Sequence, residues 1–126
     1  MKIIIEGYRK AVSKKNNLKF ARKNGRAYKK KDVKLFESYC QEIAHEAVKE
    51  WQRLSCTAWP LDKEYKLSLH VTWGDRTKRD IQNAFDCICD SLQGIIYTDD
   101  SQIKEIWGAK TYEKGVWHFK IEVEII

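Results

Sequence analysis

Long hydrophobic runs are missing from this 126-residue chain. Near the N-terminus only Ile3-Ile4-Ile5 is continuously apolar, well short of the ~7–15 residues of a signal-peptide core or the ~20 of a membrane span. That predicts a cytoplasmic protein with no membrane partner. Without a secretory signal, Cys40, Cys56, Cys87 and Cys89 do not read as a disulfide framework, and reduced thiols are expected. Zinc is disfavoured as well, because Cys87-Ile88-Cys89 has no matching second pair or nearby histidine to complete a nitrogen and sulfur site. Internal repeats and low-complexity tails are also absent. With 43% hydrophobic and 12% aromatic residues the chain has the composition of one folded domain, spanning residues 1–126.

Acids are lacking in one place where charge is dense. Lys14, Lys15, Lys19, Arg22, Lys23, Arg26, Lys29, Lys30 and Lys31 put nine cations into 18 positions with no acid among them. Such a run repels itself unless a polyanion neutralises it, and the net charge of +6 makes nucleic acid the favoured partner. A solvated loop without a partner is the competing reading. Gly25 and Asn16-Asn17 are turn signals and no apolar period sustains a helix, so residues 13–31 read as a DNA-binding loop that orders on binding.

The flanking segments are more regular. Residues 2–8 read as a short buried strand. From Asp32 onward Phe36, Cys40, Ile43, Ala47, Trp51 and Leu54 recur every three or four residues, predicting a long helix that Pro60 bars from continuing. Tyr65, Leu67, Leu69, Val71 and Trp73 alternate with polar residues, which predicts a strand with one apolar face. Ile81, Ala84, Phe85, Ile88 and Leu92 share one side of a second helix that Gly94 closes, followed by a β-prone Ile95-Ile96-Tyr97. Two extended segments, 102–112 and 116–126, then form a hairpin through Glu113-Lys114-Gly115. Trp73, Trp107 and Trp117 fall in strand patterns and read as core or dimer interface. The resulting order, β-α-β-α-β-β, predicts a single α+β domain with a largely antiparallel mixed sheet and two main helices.

Against the basic balance, Asp80, Asp86, Asp90, Asp99 and Asp100 concentrate five acids in 21 positions. Hard oxygen ligands of this kind suit magnesium or manganese, held by one or two carboxylates with water and phosphate. An acidic metal site beside a basic segment is the layout of a nucleic-acid phosphodiesterase. A purely structural reading makes Asp80 an N-cap, Asp99-Asp100 a turn, and Asp86 and Asp90 a solvated helix face.

The spacing Asp80, Asn83, Asp90, Leu92, Gly94 and then Asp99-Asp100-Ser101-Gln102-Ile103 resembles the RusA family of Holliday junction resolvases. That family's signature is roughly Asp-x-Asp-Asn-x-x-Lys-x-x-x-Asp-x-Leu-x-Gly followed by Asp-Asp-x-Gln-Ile/Val. Lys14-Lys15 with the basic and aromatic segment to Tyr28 resembles the family's N-terminal element, and Lys110 with the final Gly-led strand its C-terminal end. The resemblance implies a homodimeric, Mg2+-dependent endonuclease, with Mn2+ as a substitute, that cuts four-way junction DNA symmetrically and is often encoded by phages or prophages. It makes Asp80 and Asp100 metal ligands, with Asp99 catalytic beside them and Asn83 and Asp90 in support. For such an endonuclease the basic segment, with Lys14, Lys15, Lys19, Arg22, Lys23 and Arg26, is expected to contact DNA phosphates, as are Arg76, Lys78, Arg79 and Lys110. Two positions depart from the pattern: Gln82 stands where the family has its second aspartate, and Asp86 where it has a lysine. Gln82 and Asp86 are one helical turn apart, so Asp86 is positioned to deliver the carboxylate that Gln82 lacks, joining the metal and catalytic set. A junction-binding dimer without catalysis is the alternative that these departures favour. A structural or regulatory protein whose basic arm binds another protein is the third reading.

Overall fold

The alternating segment around Leu69 becomes the centre of the fold in a computed structural model, which describes residues 1–11 and 31–126 in full and, between them, the backbone of 18–20 and 27–29. The elements run β1 (Lys2–Gly7), β2 (Leu18–Phe20), β3 (Ala27–Lys29), α1 (Lys31–Ser55), β4 (Tyr65–Trp73), α2 (Ile81–Leu92), β5 (Ile103–Tyr112) and β6 (His118–Ile125). Four strands make one mixed sheet in the order β1-β6-β4-β5, antiparallel at β1–β6 and β6–β4 and parallel at β4–β5. This is the predicted α+β architecture.

One face of the sheet is dry. Ile3 and Ile5 of β1, Leu67, Leu69 and Val71 of β4, and Phe119, Ile121 and Val123 of β6 point into a single core with Val33, Phe36, Cys40 and Ala44 of α1 and Ala84, Phe85, Ile88 and Leu92 of α2. Burying each larger apolar side chain contributes about 1.5–3 kcal/mol over leaving it exposed. Phe119 anchors this layer, meeting the ring of Phe36 edge-on at 5.4 Å and that of Tyr39 at 6.3 Å. The opposite face keeps the polar partners of the alternation, with Trp107 of β5 leaning on His70 at 4.7 Å between ring centres. All four cysteines are free thiols, and only Cys56 is exposed. No helix among the described residues is long and apolar enough to cross a membrane.

Four expectations need correction. The 102–112 and 116–126 segments are not a hairpin, because β4 lies between β5 and β6 and pairs with both. β4 has the cleanest apolar alternation and takes the central place, and the link between β5 and β6 crosses its end, with Glu113 N–H donating to Trp73 O at 3.2 Å and Gly115 N–H to Gly74 O at 2.9 Å. Leu54 is 69% exposed rather than core, since α1 overhangs the packed layer in its last turn, where residues 52–58 are all exposed. Ile95-Ile96-Tyr97 is a reverse turn with an isolated Gln93–Tyr97 bridge, driven by Gly94 at φ 83° and closed by Ile96 N–H donating to Leu92 O at 3.0 Å. Within the basic segment, an antiparallel pair replaces the loop at β2 and β3, setting Lys19 opposite Tyr28. Lys14, Lys15, Arg22, Lys23 and Arg26 lie outside the described residues. Trp73 is buried as expected and Trp117 half-buried, whereas Trp107 is 48% exposed on the open face of the sheet and is not core.

Candidate active site

Helix α2 sets the geometry of the acidic stretch. Asp80 has extended backbone (φ −97°, ψ 121°) and its Oδ1 accepts the Gln82 N–H at 2.9 Å, so it caps the helix N-terminus as the purely structural reading requires. Glycine is needed on the strand beneath: a Cβ at Gly108 of β5 would stand 2.7 Å from Phe85 Cε2 and 3.2 Å from Ile81 Cδ1, both on α2. The helix therefore lies directly on β5. One turn in from the cap, Gln82 Nε2 donates to Asp86 Oδ1 at 3.1 Å. A carboxylate only accepts, so the amide nitrogen must be the end that faces Asp86, which leaves the Gln82 carbonyl oxygen turned away from it.

At the far end of α2 a second group of acids collects. Asp99 caps the short turn Asp100–Gln102, its Oδ1 accepting the Ser101 N–H at 3.0 Å. Its carboxyl is held below the usual range, first by that backbone N–H and then by a side-chain hydrogen bond with Asp100. Asp100 is pushed the other way, chiefly by the same bond to Asp99, then by desolvation and by the charges of Asp99 and Asp90. Neighbouring carboxylates drive their two proton affinities apart in this way. Beneath them the buried Cys89 thiol is pushed up to about 12, mainly by desolvation, with Asp86, Asp90 and Asp100 all adding to the shift. Asp99 and Asp90 thus act on Asp100, and Asp86, Asp90 and Asp100 all act on Cys89.

Asp80 does not join that group. From Asp80 to Asp90 the helix rises about 15 Å. The strand gives the same answer: Lys110 Nζ donates to the carbonyl oxygen of Arg79 at 2.7 Å, and Lys110 lies seven residues along β5 from Ile103, or about 23 Å. Asp80 and Asp100 therefore sit at opposite ends of α2 within one chain. Among the described residues no three His, Cys, Asp or Glu side chains stand close enough together to hold a metal ion.

What accompanies Asp80 is positive charge. Asp75, Arg76, Thr77, Lys78, Arg79, Lys110 and Tyr112, with Trp73 and Thr111, line a cleft of about 330 Å3. Arg79 is fixed in it, donating to Asp75 Oδ1 at 2.6 Å and Oδ2 at 3.3 Å while its guanidinium lies 5.6 Å from the rings of both Trp73 and Trp117. Arg76 stacks over Tyr112 at 4.4 Å. The Arg79 pair holds the Asp75 carboxyl well below the usual carboxylate range. With Arg79 paired to Asp75, Arg76, Lys78 and Lys110 leave the concavity net positive and suited to an anion.

Compared with known protein families, the chain matches the one described as Endodeoxyribonuclease RusA over residues 10–126, nearly its whole length. The chain belongs to the RusA endodeoxyribonuclease family. No curated protein matches it closely enough to be called a relative. RusA membership makes junction-resolving endonuclease the activity of the family, and both acidic groups and the cationic cleft lie within the matched residues. The chemistry at the Asp99–Asp100 end fits the family's implied divalent ion: the donors are hard oxygens, and their mutual repulsion is what a cation would relieve. The C-terminal end of α2 adds negative potential there, since its last carbonyls have no helical partners.

Lys110, expected from the sequence to contact DNA, lines the cationic cleft. Asp75 and Tyr112 were not singled out from the sequence. The four-residue spacing of Asp75 and Arg79 was a visible signal for the first. Tyr112 joins the cleft only through the parallel register that sets it beside Trp73, which no local pattern reveals.

Proposed function

We propose that the chain is a Mg2+-dependent endonuclease, with Mn2+ able to substitute, that resolves four-way DNA junctions as a homodimer by paired phosphodiester hydrolysis. The observation that carries this reading is the Asp99–Asp100 pair, two exposed neighbouring carboxylates on one capped turn whose proton affinities are driven apart, in a chain that belongs to a nuclease family. Since α2 separates Asp80 from Asp100 within one chain, the ion would be held between two copies, by Asp100 of one and by Asp80, Asp86 and the outward carbonyl oxygen of Gln82 of the other, with Asp99, Asp90 and Asn83 supporting. When bound, the ion supplies Lewis acidity and an activated water.

The protein's own part is placement and charge. Arg76, Lys78, Arg79 and Lys110 grip backbone phosphates at the N-terminal end of α2, and the basic segment with Lys14, Lys15, Lys19, Arg22, Lys23 and Arg26 extends the grip. Asp99 is held toward its carboxylate form by the Ser101 N–H, and Asp100, whose proton affinity is the higher of the two, accepts a proton from a water beside it. Two copies related by a two-fold axis present two equivalent sites, which suits a substrate with two equivalent strands to cut.

A second reading has its own support. The hydrogen bond from Gln82 engages Asp86 at the two positions where the family pattern is broken, and this favours a junction-binding dimer without catalysis. Cleavage of a labelled synthetic four-way junction in magnesium and then manganese separates the two, run beside Asp100→Asn and a linear duplex. Paired nicks that disappear in Asp100→Asn support the endonuclease. Tight, salt-sensitive binding with no cleavage under either metal supports the binding protein.

A further inference from the structure

We infer that Gln102 is a positioning residue for the Asp99–Asp100 pair, anchoring the turn that carries both acids to the segment leading into β4. The inference rests on the reading of Asp99 and Asp100 as the catalytic acids. A glutamine amide has two N–H donors and a carbonyl oxygen with two lone pairs. Gln102 uses all of them on backbone groups: Nε2 donates to Leu61 O and to Lys63 O, each at 2.8 Å, and Oε1 accepts the N–H of Thr98 at 2.9 Å and of Asp99 at 2.8 Å. One side chain therefore bridges two segments some 40 positions apart in sequence, at separations of 41 and 39 residues.

The rest of the local bonding fixes the shape of the turn rather than its place. Ser101 N–H to Asp99 Oδ1 and Gln102 N–H to Asp99 O, at 3.1 Å, both lie within the turn. Asp99 and Asp100 themselves lie outside any strand ladder, between an isolated bridge and Ile103, the first residue of β5, which pairs with Tyr65. The exposed 61–63 segment is held from both sides, and the Lys63 N–H donates to the Tyr65 hydroxyl at 3.3 Å. The Tyr65 hydroxyl donates to Pro60 O, and the Trp59 indole N–H reaches Ile96 O at 2.9 Å. Thr98 adds only longer contacts to Leu61 O, at 3.3 Å from both its N–H and its hydroxyl. Gln102 is thus the link through which the buried Trp59–Tyr65 region sets where the two carboxylates stand.

Glutamate at 102 keeps the acceptor for Thr98 and Asp99 but turns a carboxylate toward two carbonyl oxygens. Methionine keeps the length and loses every bond. The test compares Gln102→Glu and Gln102→Met with the parent, measuring single-turnover junction cleavage, junction Kd without divalent ion, and hydrogen exchange at the Thr98 and Asp99 amides. Thr98→Val is the control, because it removes the hydroxyl contact to Leu61 O, a strap between the same segments, without touching the Thr98 or Asp99 amide. Expected is a fall in cleavage rate of about 100-fold in both Gln102 variants, with Kd within about twofold and Thr98→Val within about threefold of the parent rate. Exchange at Thr98 and Asp99 should speed up in Gln102→Met. An active parent with Gln102 variants that cut equally fast overturns the positioning role alone. So does an equal loss in Thr98→Val, or a loss of binding that matches the loss of rate. A parent that binds junctions and never cuts them overturns the endonuclease reading, and the positioning role falls with it.

Discussion

Replacing Asp86 with alanine separates stability from chemistry more cleanly than any other change in the acidic stretch. Three small terms decide the stability. The side-chain bond from Gln82 Nε2 to Asp86 Oδ1, 3.1 Å long at i,i+4 spacing, is worth about 0.2–0.5 kcal/mol. Asp86 and Asp90, also four apart, repel by a similar amount, and that repulsion vanishes in the variant. Alanine is the better helix former by up to about 0.7 kcal/mol. The sum favours the variant by roughly 0.5 kcal/mol, which for a domain of this size raises Tm by about 1–3 °C. Activity should move the other way. If Asp86 delivers the carboxylate that position 82 lacks, its removal costs a ligand and single-turnover cleavage falls by at least about 100-fold. Thermal melts and junction cleavage on the same preparation read both quantities. Asp86→Ala that cuts as fast as the parent refutes the compensation. Asp86→Ala that melts several degrees lower refutes the stability reasoning.

Gly108→Ala should be destabilising by about 1–3 kcal/mol, because its Cβ would enter the space of Phe85 on α2; urea denaturation reads the loss, and an unchanged midpoint would mean that α2 lifts off β5 freely. Asp100→Asn tests the paired acids through pH in metal-free protein. Since its folded pKa is raised, Asp100 contributes stability that is fully present below its unfolded pKa and lost as pH rises through the folded value. The variant should therefore melt above the parent at pH 7 and lose that advantage as pH falls to 4 and below; a pH-independent difference contradicts the repulsion between Asp99 and Asp100. Lys110→Ala should weaken junction binding and reduce the log–log salt slope by roughly one, and an unchanged slope removes Lys110 from the phosphate contacts.

The fold was legible where one physical signal dominated. Period-two alternation located Tyr65–Trp73 to the residue, and the apolar stripes located both helices, because one-sided burial imposes those periods. Pairing partners were not legible. Gln102–Tyr112 and Val116–Ile126 look like a hairpin by proximity, but which strand occupies the centre is a competition settled by burial, and β4 wins it. Leu54 continues the stripe of α1 yet is exposed, since periodicity cannot say how far the opposing layer extends. At the candidate site the identities of the acids could be read, and the N-cap at Asp80 and the turn at Asp99 followed from local preferences. Their separation could not, because it depends on β5 running parallel to β4 and so carrying the chain back along the full length of α2 before Lys110 reaches Arg79.

That separation constrains how the proposed reaction can be organised. At its N-terminal end α2 offers Asp80 beside Arg76, Lys78, Arg79 and Lys110, a place for phosphate. At its C-terminal end it offers Asp90, Asp99 and Asp100, a place for a cation. Hydrolysis of a phosphodiester needs both within a few ångströms, and a helix of 12 residues keeps them about 18 Å apart. Bending the helix is no remedy, since Ala84, Phe85, Ile88 and Leu92 lock it to the core along its length. A two-fold axis perpendicular to α2 is: it sets the helix antiparallel to its copy, so that the N-terminal end of one meets the C-terminal end of the other. In such a homodimer each site draws its phosphate grip from one chain and its paired acids from the second, and an isolated chain has neither site complete. The proposed dimer and the proposed chemistry are then one hypothesis, and a dilution series that dissociates the dimer should extinguish cleavage in step with dissociation.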